Sequence, residues 1–259
     1  MSESGEFRLS IMRALGDQLA DGLRRLTPAP LDMTRIGKLE ARPGVYQLYE
    51  GGCLVYVGKA DKSLPQRLTK HYVKLTARLA LGPMTFTCLY VDEDLHAVAP
   101  ERLLIQRQKD QGLAQWNFNG FGSNDPGRNR DETLFESNHF DSLHPADLAH
   151  VCKGLRANVY RADLLLKQIK AVLPYLFRYE SASFHRQVEV RVDHDDPTAD
   201  ELFAAVGIAI NKADPKWRIT ALPGYVIMYP KPGPYPSARR QYPAPVKPNT
   251  AGRVDISWA

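Results

Sequence analysis

Residues 42–60 constrain the fold most strongly, because they predict a tight antiparallel hairpin. Two short runs rich in Val, Tyr and Leu, Val45–Tyr49 and Cys53–Val57, have the composition of strands on a half-buried sheet. Residues 50–52, a glutamate and two glycines, separate them, and paired glycines between two such runs are typical of a hairpin turn. These residues are therefore expected to form the centre of a small antiparallel sheet.

The register of this hairpin decides where its tyrosines point. With a three-residue loop over 50–52, Tyr46 lies directly opposite Tyr56, and directly opposed residues share one face of a sheet. A two-residue loop would place the two tyrosines on opposite faces, because side chains alternate along a strand. We expect the three-residue loop, since it gathers both phenols at one site.

A capped helix is predicted after the second strand. Gly58 ends that strand, and Ser63 with Gln66 three residues later has the spacing of a capping box. An apolar stripe then recurs at helical spacing: Leu64, Leu68, Tyr72, Leu75 and Leu79. A basic stripe runs beside it on the same helix: Arg67, His71, Lys74 and Arg78.

A third strand and a second helix are predicted next. The alternation over Met84–Val91 indicates a strand whose one face carries Phe86, Cys88 and Tyr90. Pro100 is well placed to open a helix, with Glu101 in its first turn. An acidic residue there interacts favourably with the helix dipole. It is equally suited to hold a metal ion, so position alone leaves both interpretations open.

The segment resembles the core of the GIY-YIG nuclease family. Residues 44–46, Gly-Val-Tyr, stand for the GIY triplet, and residues 56–58, Tyr-Val-Gly, for the YIG triplet. Arg67 falls where the family has its arginine, and His71 falls where members have a histidine, lysine or tyrosine. Each triplet alone is a weak signal, but the ordered combination with the hairpin and capped helix is specific. The resemblance implies an α+β fold, in which helices flank a small antiparallel sheet.

The resemblance also implies a reaction, the hydrolysis of a DNA phosphodiester. Tyr46 becomes the candidate general base. Nearby cations would have to favour its phenolate, because a phenol has an ordinary pKa of about 10. His71 would orient or share the proton of Tyr46. Arg67 would bind the scissile phosphate, and Tyr56 would position the phosphate or the attacking water.

The family's metal-binding glutamate corresponds to Glu101, and its asparagine after that helix corresponds to Asn117. The resemblance implies one Mg²⁺ per site, held by Glu101, with Mn²⁺ as a possible substitute and no nucleotide cofactor. Asn117 would anchor the site by hydrogen bonding. Asn119 lies two residues further on and is a competing match.

Residues 120–130 form a turn-rich segment that resembles the type II restriction endonuclease branch of the family. Its glycines would let backbone amides approach a phosphate, and a plain surface loop explains them equally well. This branch implies double-stranded DNA with a short, GC-rich palindrome as substrate, and a homodimer that cuts both strands. The candidate DNA contacts are Lys59, Lys70, Lys74, Arg128, Arg130, Arg186 and Arg191.

Charge is concentrated in one stretch of the chain. Residues 59–78 contain six basic residues and one acidic residue, an excess equal to the formal net charge of +5 of all 259 residues. Such a concentration indicates a polyanionic partner, although a solvated helix face explains it equally well. The sequence has no apolar run long enough for a transmembrane helix, and its three separated cysteines suit the reducing cytoplasm. Walker, Rossmann, GxSxG and HExxH motifs are missing, which excludes those enzyme classes.

Three regions are predicted. Residues 1–40 would form an N-terminal helical arm, 41–122 the catalytic core, and 123–259 a DNA-recognition and dimerisation region with α and β elements that ends in a proline-rich basic arm. Further along the chain we expect helices over 145–155, 158–173 and 198–210, a strand over 184–192, and a strand within 217–229.

Two alternative functions remain open. A repair or homing nuclease would share the core, but it would be expected to carry extra nuclease, helicase or DNA-binding modules, which are not visible in the sequence. A non-catalytic DNA-binding protein would keep the core for structure alone. The presence together of Tyr46, Tyr56, Arg67, His71 and Glu101 favours the enzyme.

Overall fold

The computed structural model describes residues 11–91, 104–105, 112–122, 127–230 and 235–244. The chain divides into two compact units. Unit 1 comprises Met1–Gly127 and Phe135–Asp147, and unit 2 comprises Arg128–Leu134 and Leu148–Ala259. The predicted arm, residues 1–40, and the predicted core, residues 41–122, both fall within unit 1, which also includes residues 135–147.

Unit 1 is built on a four-stranded antiparallel sheet. Its strands are β1 (Ala29–Pro30), β2 (Gly44–Glu50), β3 (Cys53–Ala60) and β4 (Met84–Tyr90), in the order β1-β4-β2-β3. The helices are α1 (Ile11–Arg24), α2 (Met33–Ile36), α3 (Leu64–Thr76) and α4 (Phe140–Leu143), and a 3₁₀ turn covers Gln115–Asn117. Strand β4 confirms the predicted third strand.

Both faces of this sheet are covered. On one face, Tyr46, Tyr56 and Phe86 pack with the apolar stripe of α3, which includes Leu64 and Leu68. On the other face, Val45 and Val57 pack against Leu19 and Leu23 of α1. Burial of both faces explains why β2 is apolar at consecutive positions rather than only at alternate ones.

The hairpin differs from its predicted register. Gly51 and Gly52 have φ of 54° and 86°, so they form a two-residue turn, which requires positive φ at both positions. Tyr46 lies opposite Gly58, and Leu48 lies opposite Tyr56. A register shift next to Leu48 leaves one extra residue in β3. The shorter turn alone would have put Tyr56 on the face opposite to Tyr46. The extra residue of the bulge turns Tyr56 back, so both tyrosines still share one face.

Helix α3 begins as predicted and ends earlier. The Ser63 hydroxyl accepts a hydrogen bond from Gln66 N at 3.3 Å, which confirms the N-cap. The helix ends at Thr76, so Leu79 lies outside the apolar stripe and is 40% exposed.

Unit 2 combines helices with two further sheets. Its elements are β5 (Asn158–Arg161), α5 (Ala162–Val172), β6 (Phe177–Tyr179), β7 (Glu189–Val192), α6 (Ala199–Ala213), β8 (Arg218–Ala221), β9 (Val226–Tyr229) and β10 (Arg240–Tyr242). One sheet has the order β10-β8-β9-β6, with β6 and β9 parallel, and the other pairs β5 with β7. The mixture of helices with small, mainly antiparallel sheets confirms the α+β class.

Several elements of unit 2 differ from the predictions. Residues 145–155 form turns and isolated bridges instead of a helix, and the helix predicted from residue 158 begins at Ala162 after a strand. Residues 184–186 lie in a 3₁₀ turn, so β7 is shorter than predicted. Helix α6 begins after Thr198 as expected, with a full capping box to Glu201. Part of the C-terminal arm forms the edge strand β10.

Candidate active site

Three polar side chains from β2 and α3 meet inside unit 1. Tyr46 is fully buried, and its hydroxyl lies 2.6 Å from His71 Nε2. Arg67 Nε donates a second hydrogen bond to the same hydroxyl at 3.2 Å. Tyr56 adds another phenol, whose ring centroid lies 6.2 Å from that of Tyr46. The four-residue spacing of Arg67 and His71 places both on the face of α3 that meets the sheet.

The two motif glycines are explained by close packing. A Cβ on Gly58 would overlap the Tyr46 phenol and lie 2.8 Å from Tyr56 Cε1. A Cβ on Gly44 would overlap the Leu89 carbonyl and lie 2.6 Å from Leu64 Cδ1. Gly58 therefore makes room for the Tyr46 hydroxyl, and Gly44 lets α3 and β4 approach β2.

The charge states of the site differ from the sequence expectation. Burial, together with the neighbouring Tyr56, raises the pKa of Tyr46 well above its ordinary value and outweighs the opposing effect of Arg67. Burial and, to a smaller extent, the positive charges of Arg67 and Lys74 together lower the pKa of His71 to about 3. Arg67 therefore does not stabilise the Tyr46 phenolate enough for it to form at neutral pH. Tyr46 is protonated, and its hydroxyl donates to the neutral His71.

Asn117 anchors the edge strand β3 next to Tyr56. Its Oδ1 accepts from Val57 N at 2.9 Å, and its Nδ2 donates to Val57 O at 2.7 Å. The side-chain amide thus takes the place of a neighbouring strand at β3. Asn119, the competing match, lies apart from this contact and accepts from Phe140 N through its backbone carbonyl.

A pocket of about 350 Å³ opens beside the tyrosine pair. Its lining includes Tyr56, Arg67 and Asn117, with further cations at Lys59, Lys62 and Lys70. Lys59 is bound to Asp61 at 3.0 Å. Within the described ranges, Lys62, Arg67 and Lys70 form no ion pair with a carboxylate, so the pocket is suited to an anionic group.

The basic stripe is only partly a surface feature. Arg67 lines the pocket, whereas Lys74 and Arg78 turn inward. The Lys74 ammonium donates to the Phe121 carbonyl, and Arg78 Nη1 is bound to Asp141 at 2.8 Å. Lys74 is a candidate DNA contact on the basis of charge, but its side chain is partly buried and its ammonium is held by a backbone carbonyl.

The remaining candidate DNA contacts lie in unit 2. Arg128 is bound to Glu180 at 2.6 Å and covers the Tyr229 ring at 4.2 Å. Arg191 is bound to Asp193 at 2.9 Å. Two more lie on 3₁₀ turns, with Arg130 partly buried and Arg186 exposed.

Glu101 lies outside the described residues, as does most of the helix predicted around it. Among the residues that are described, no group of three or more His, Cys, Asp or Glu side chains could hold a metal ion. The described lining of the pocket has one carboxylate, Asp61, which is bound to Lys59. These described residues alone do not make a Mg²⁺ site.

An aromatic layer behind the site was missed by the sequence analysis. Phe121 stacks on His71, with ring centroids 5.1 Å apart at 22°, and meets Tyr56 edge-on at 4.9 Å. Trp116 and Phe140 pack against Phe121 at 4.8 and 4.7 Å. Their aromatic character was the available signal, but it does not say which side chains they contact.

Comparison of the chain with protein-family models, curated proteins and solved structures gave no significant match. The GIY-YIG resemblance therefore rests on the two triplets and the residues that follow them. Membrane insertion through a helix also finds no support, because no helix in the described ranges has the length and apolarity to cross a bilayer.

Proposed function

We propose that the chain is a Mg²⁺-dependent endonuclease that hydrolyses phosphodiester bonds of double-stranded DNA, with a type II restriction activity at a short palindrome. One observation carries the proposal. The buried Tyr46 hydroxyl contacts both the neutral His71 and the Arg67 guanidinium, at the edge of a pocket whose cations Lys62, Arg67 and Lys70 form no ion pair with a carboxylate in the described part of the chain. Core packing alone does not explain why these polar groups converge.

The protonation states support a proton relay. In this relay Tyr46 accepts a proton from the attacking water while it passes its own proton to His71 Nε2, 2.6 Å away. The phenol carries no full charge in this step, so its raised pKa is not an obstacle. A DNA phosphate would add negative charge beside Arg67, which raises the pKa of His71 and makes it a better acceptor.

Arg67 is the candidate phosphate ligand. It lines the pocket, and its contact with Tyr46 uses Nε. A guanidinium suits two phosphate oxygens, and its charge stabilises the phosphorane formed when water attacks phosphorus. The bond from phosphorus to the 3′ oxygen then breaks. Mg²⁺, when bound, would neutralise charge on the phosphate, and Glu101 is the residue proposed to hold it.

Cleavage of long DNA of known sequence tests the proposal directly. With Mg²⁺ the protein should give discrete fragments, and with EDTA it should give none. Tyr46→Phe and Glu101→Ala should each lower the cleavage rate by at least about 1000-fold while DNA binding is retained. Gel mobility shifts with the same variants check binding.

Two other results would replace this proposal. A smear in place of discrete fragments would identify a nuclease without site specificity, as expected of a repair enzyme. Intact DNA with a mobility shift would identify a non-catalytic DNA-binding protein. The full burial of Tyr46 is the observation that favours this second candidate.

A further inference from the structure

Lys74 lies in an environment that is unusual for lysine. Its ammonium donates to the Phe121 carbonyl and lies 4.8 Å from the centre of the Phe121 ring and 5.6 Å from that of Phe140. No carboxylate is in ion-pair contact with it within the described part of unit 1. Even partial burial of an ammonium without such a partner costs free energy, so the arrangement calls for a functional explanation.

The carbonyl that Lys74 holds belongs to the residue that covers the site. Phe121 is 1% exposed, stacks on His71 and meets the edge of Tyr56. The next residue passes equally close, because a Cβ on Gly122 would lie 3.3 Å from the Tyr56 hydroxyl. The position of residues 121–122 therefore determines how tightly the His71 imidazole is enclosed.

We propose that Lys74 is a positioning residue: by holding the Phe121 carbonyl, its ammonium keeps the Phe121 ring against His71 and keeps the imidazole aligned with the Tyr46 hydroxyl. This inference rests on the proposed function, because alignment matters to catalysis only if His71 takes the proton. It also replaces the expectation that Lys74 contacts DNA.

The charge of Lys74 has a second effect on the same imidazole. The titratable groups that face His71 are Tyr46 from β2, Tyr56 from β3, and Arg67 and Lys74 from its own helix. The two cations oppose protonation of His71, so they preserve the neutral acceptor. The pKa of Lys74 itself is lowered to about 8, mainly by burial and also by the charges of Arg78 and Arg67, while Asp141 opposes this shift.

The kinetic test replaces Lys74 with methionine, which keeps an unbranched side chain as far as Cε and removes the ammonium. Lys74→Met should lower the single-turnover cleavage rate at saturating DNA by about 10- to 100-fold, because the acceptor is misaligned. The acid limb of its pH–rate profile should move to higher pH. Lys170→Met is the matched control, because Lys170 lies 5.7 Å from the Tyr179 ring in unit 2, and its rate and profile should not change.

A spectroscopic test works without DNA or activity. The chain has seven histidines, and a ¹⁵N-histidine spectrum of His71→Gln would identify the resonances of His71. In the unmodified protein these resonances should shift as the pH rises through the Lys74 pKa of about 8. The shift should be lost in Lys74→Met and kept in Lys170→Met.

The outcomes separate this inference from the proposed function. A His71 shift near pH 8 without any DNA cleavage would support the contact with Lys74 and reject the nuclease. Cleavage without such a shift in the unmodified protein would reject the role of Lys74, even if Lys74→Met did not fold. Weaker DNA binding by Lys74→Met, with an unchanged saturated rate and unchanged His71 resonances, would show instead that Lys74 contacts DNA.

Discussion

The basic side chains of the two units have different partners. In unit 1, Lys62, Arg67 and Lys70 line the pocket without a carboxylate partner among the described residues. In unit 2, arginines form ion pairs: Arg128–Glu180, Arg156–Asp195, Arg161–Asp163, Arg178–Asp131, Arg191–Asp193 and Arg240–Asp200. Such pairs add little stability at the surface, but they cancel the positive charge locally. We therefore expect a cation without an acidic neighbour to contribute more to DNA binding than an equally exposed cation that forms an ion pair.

The largest expected contrast is between two closely packed glycines, Gly58 in unit 1 and Gly207 in unit 2. In Gly58→Ala the new methyl group would displace the Tyr46 phenol, and we expect cleavage to fall by about 100-fold. In unit 2, a Cβ on Gly207 would lie 2.7 Å from Tyr242 Cβ, so Gly207→Ala disturbs packing away from the tyrosine pair. Single-turnover rates and thermal unfolding of both variants provide the measurement.

Both alanine variants should lose stability through overpacking, by about 1–3 kcal/mol, although Ala also favours the helix that contains Gly207. At a temperature where both proteins are folded, only Gly58→Ala should have a slower chemical step. Equal cleavage rates for the two variants would contradict the proposed role of the Tyr46 position.

Two histidines give the next largest contrast. The folded pKa of His71 is about 3, below the ordinary value of 6.5, because the imidazole is buried. The unfolded chain therefore binds more protons between these values, so the stability of unit 1 is full above pH 6.5 and is lost as the pH falls. The expected loss between pH 6.5 and pH 5 is about 2 kcal/mol. Amide hydrogen exchange of β2 and β3, corrected for intrinsic rates, measures it.

The matching substitutions isolate the source of this acid sensitivity. His71→Gln should reduce it in β2 and β3. The pKa of the exposed His194 in unit 2 is raised by its hydrogen bonds to the Asp195 carbonyl and to Glu201. Protonation of His194 therefore favours the folded state, whereas protonation of His71 opposes it. His194→Gln should therefore not change how much stability unit 1 loses at low pH. If the loss of stability at low pH persists in His71→Gln, other titratable groups cause it.

Local chemistry accounts for what the sequence predicted well. Ser63 caps α3 because its hydroxyl is three residues from the Gln66 amide, a relation contained within one turn. The two tyrosines share a face as expected, but for a different reason. The prediction counted the loop residues and missed both the two-residue turn and the bulge, and these two errors cancelled.

Contacts between distant segments account for what the sequence missed. Nothing in the spacing of the basic stripe indicates that Lys74 meets residue 121 or that Arg78 meets residue 141. Likewise, Asn158–Arg161 precedes a helix and was taken as part of it, whereas pairing with Glu189–Val192 makes it a strand. In these cases the partner, which lies far along the chain, decided the outcome.

The smallest contrast concerns single cations. Lys70 lines the pocket without an ion pair in the described ranges, so Lys70→Met should weaken DNA binding several-fold and reduce its logarithmic salt dependence by about one unit. Arg191 is paired with Asp193 and should contribute much less, so Arg191→Met should bind almost normally. Fluorescence anisotropy at several salt concentrations measures both constants.

Removing the carboxylate partner sharpens this contrast. Asp193→Asn keeps the size of the side chain and releases the charge of Arg191, so Arg191→Met should cost more affinity in that background than in the natural one. This result would mean that the carboxylate, rather than the position of Arg191, keeps it from contributing. Equal effects in both backgrounds would mean that Arg191 lies away from the DNA, and that the ion pairs of unit 2 do not determine how DNA is bound.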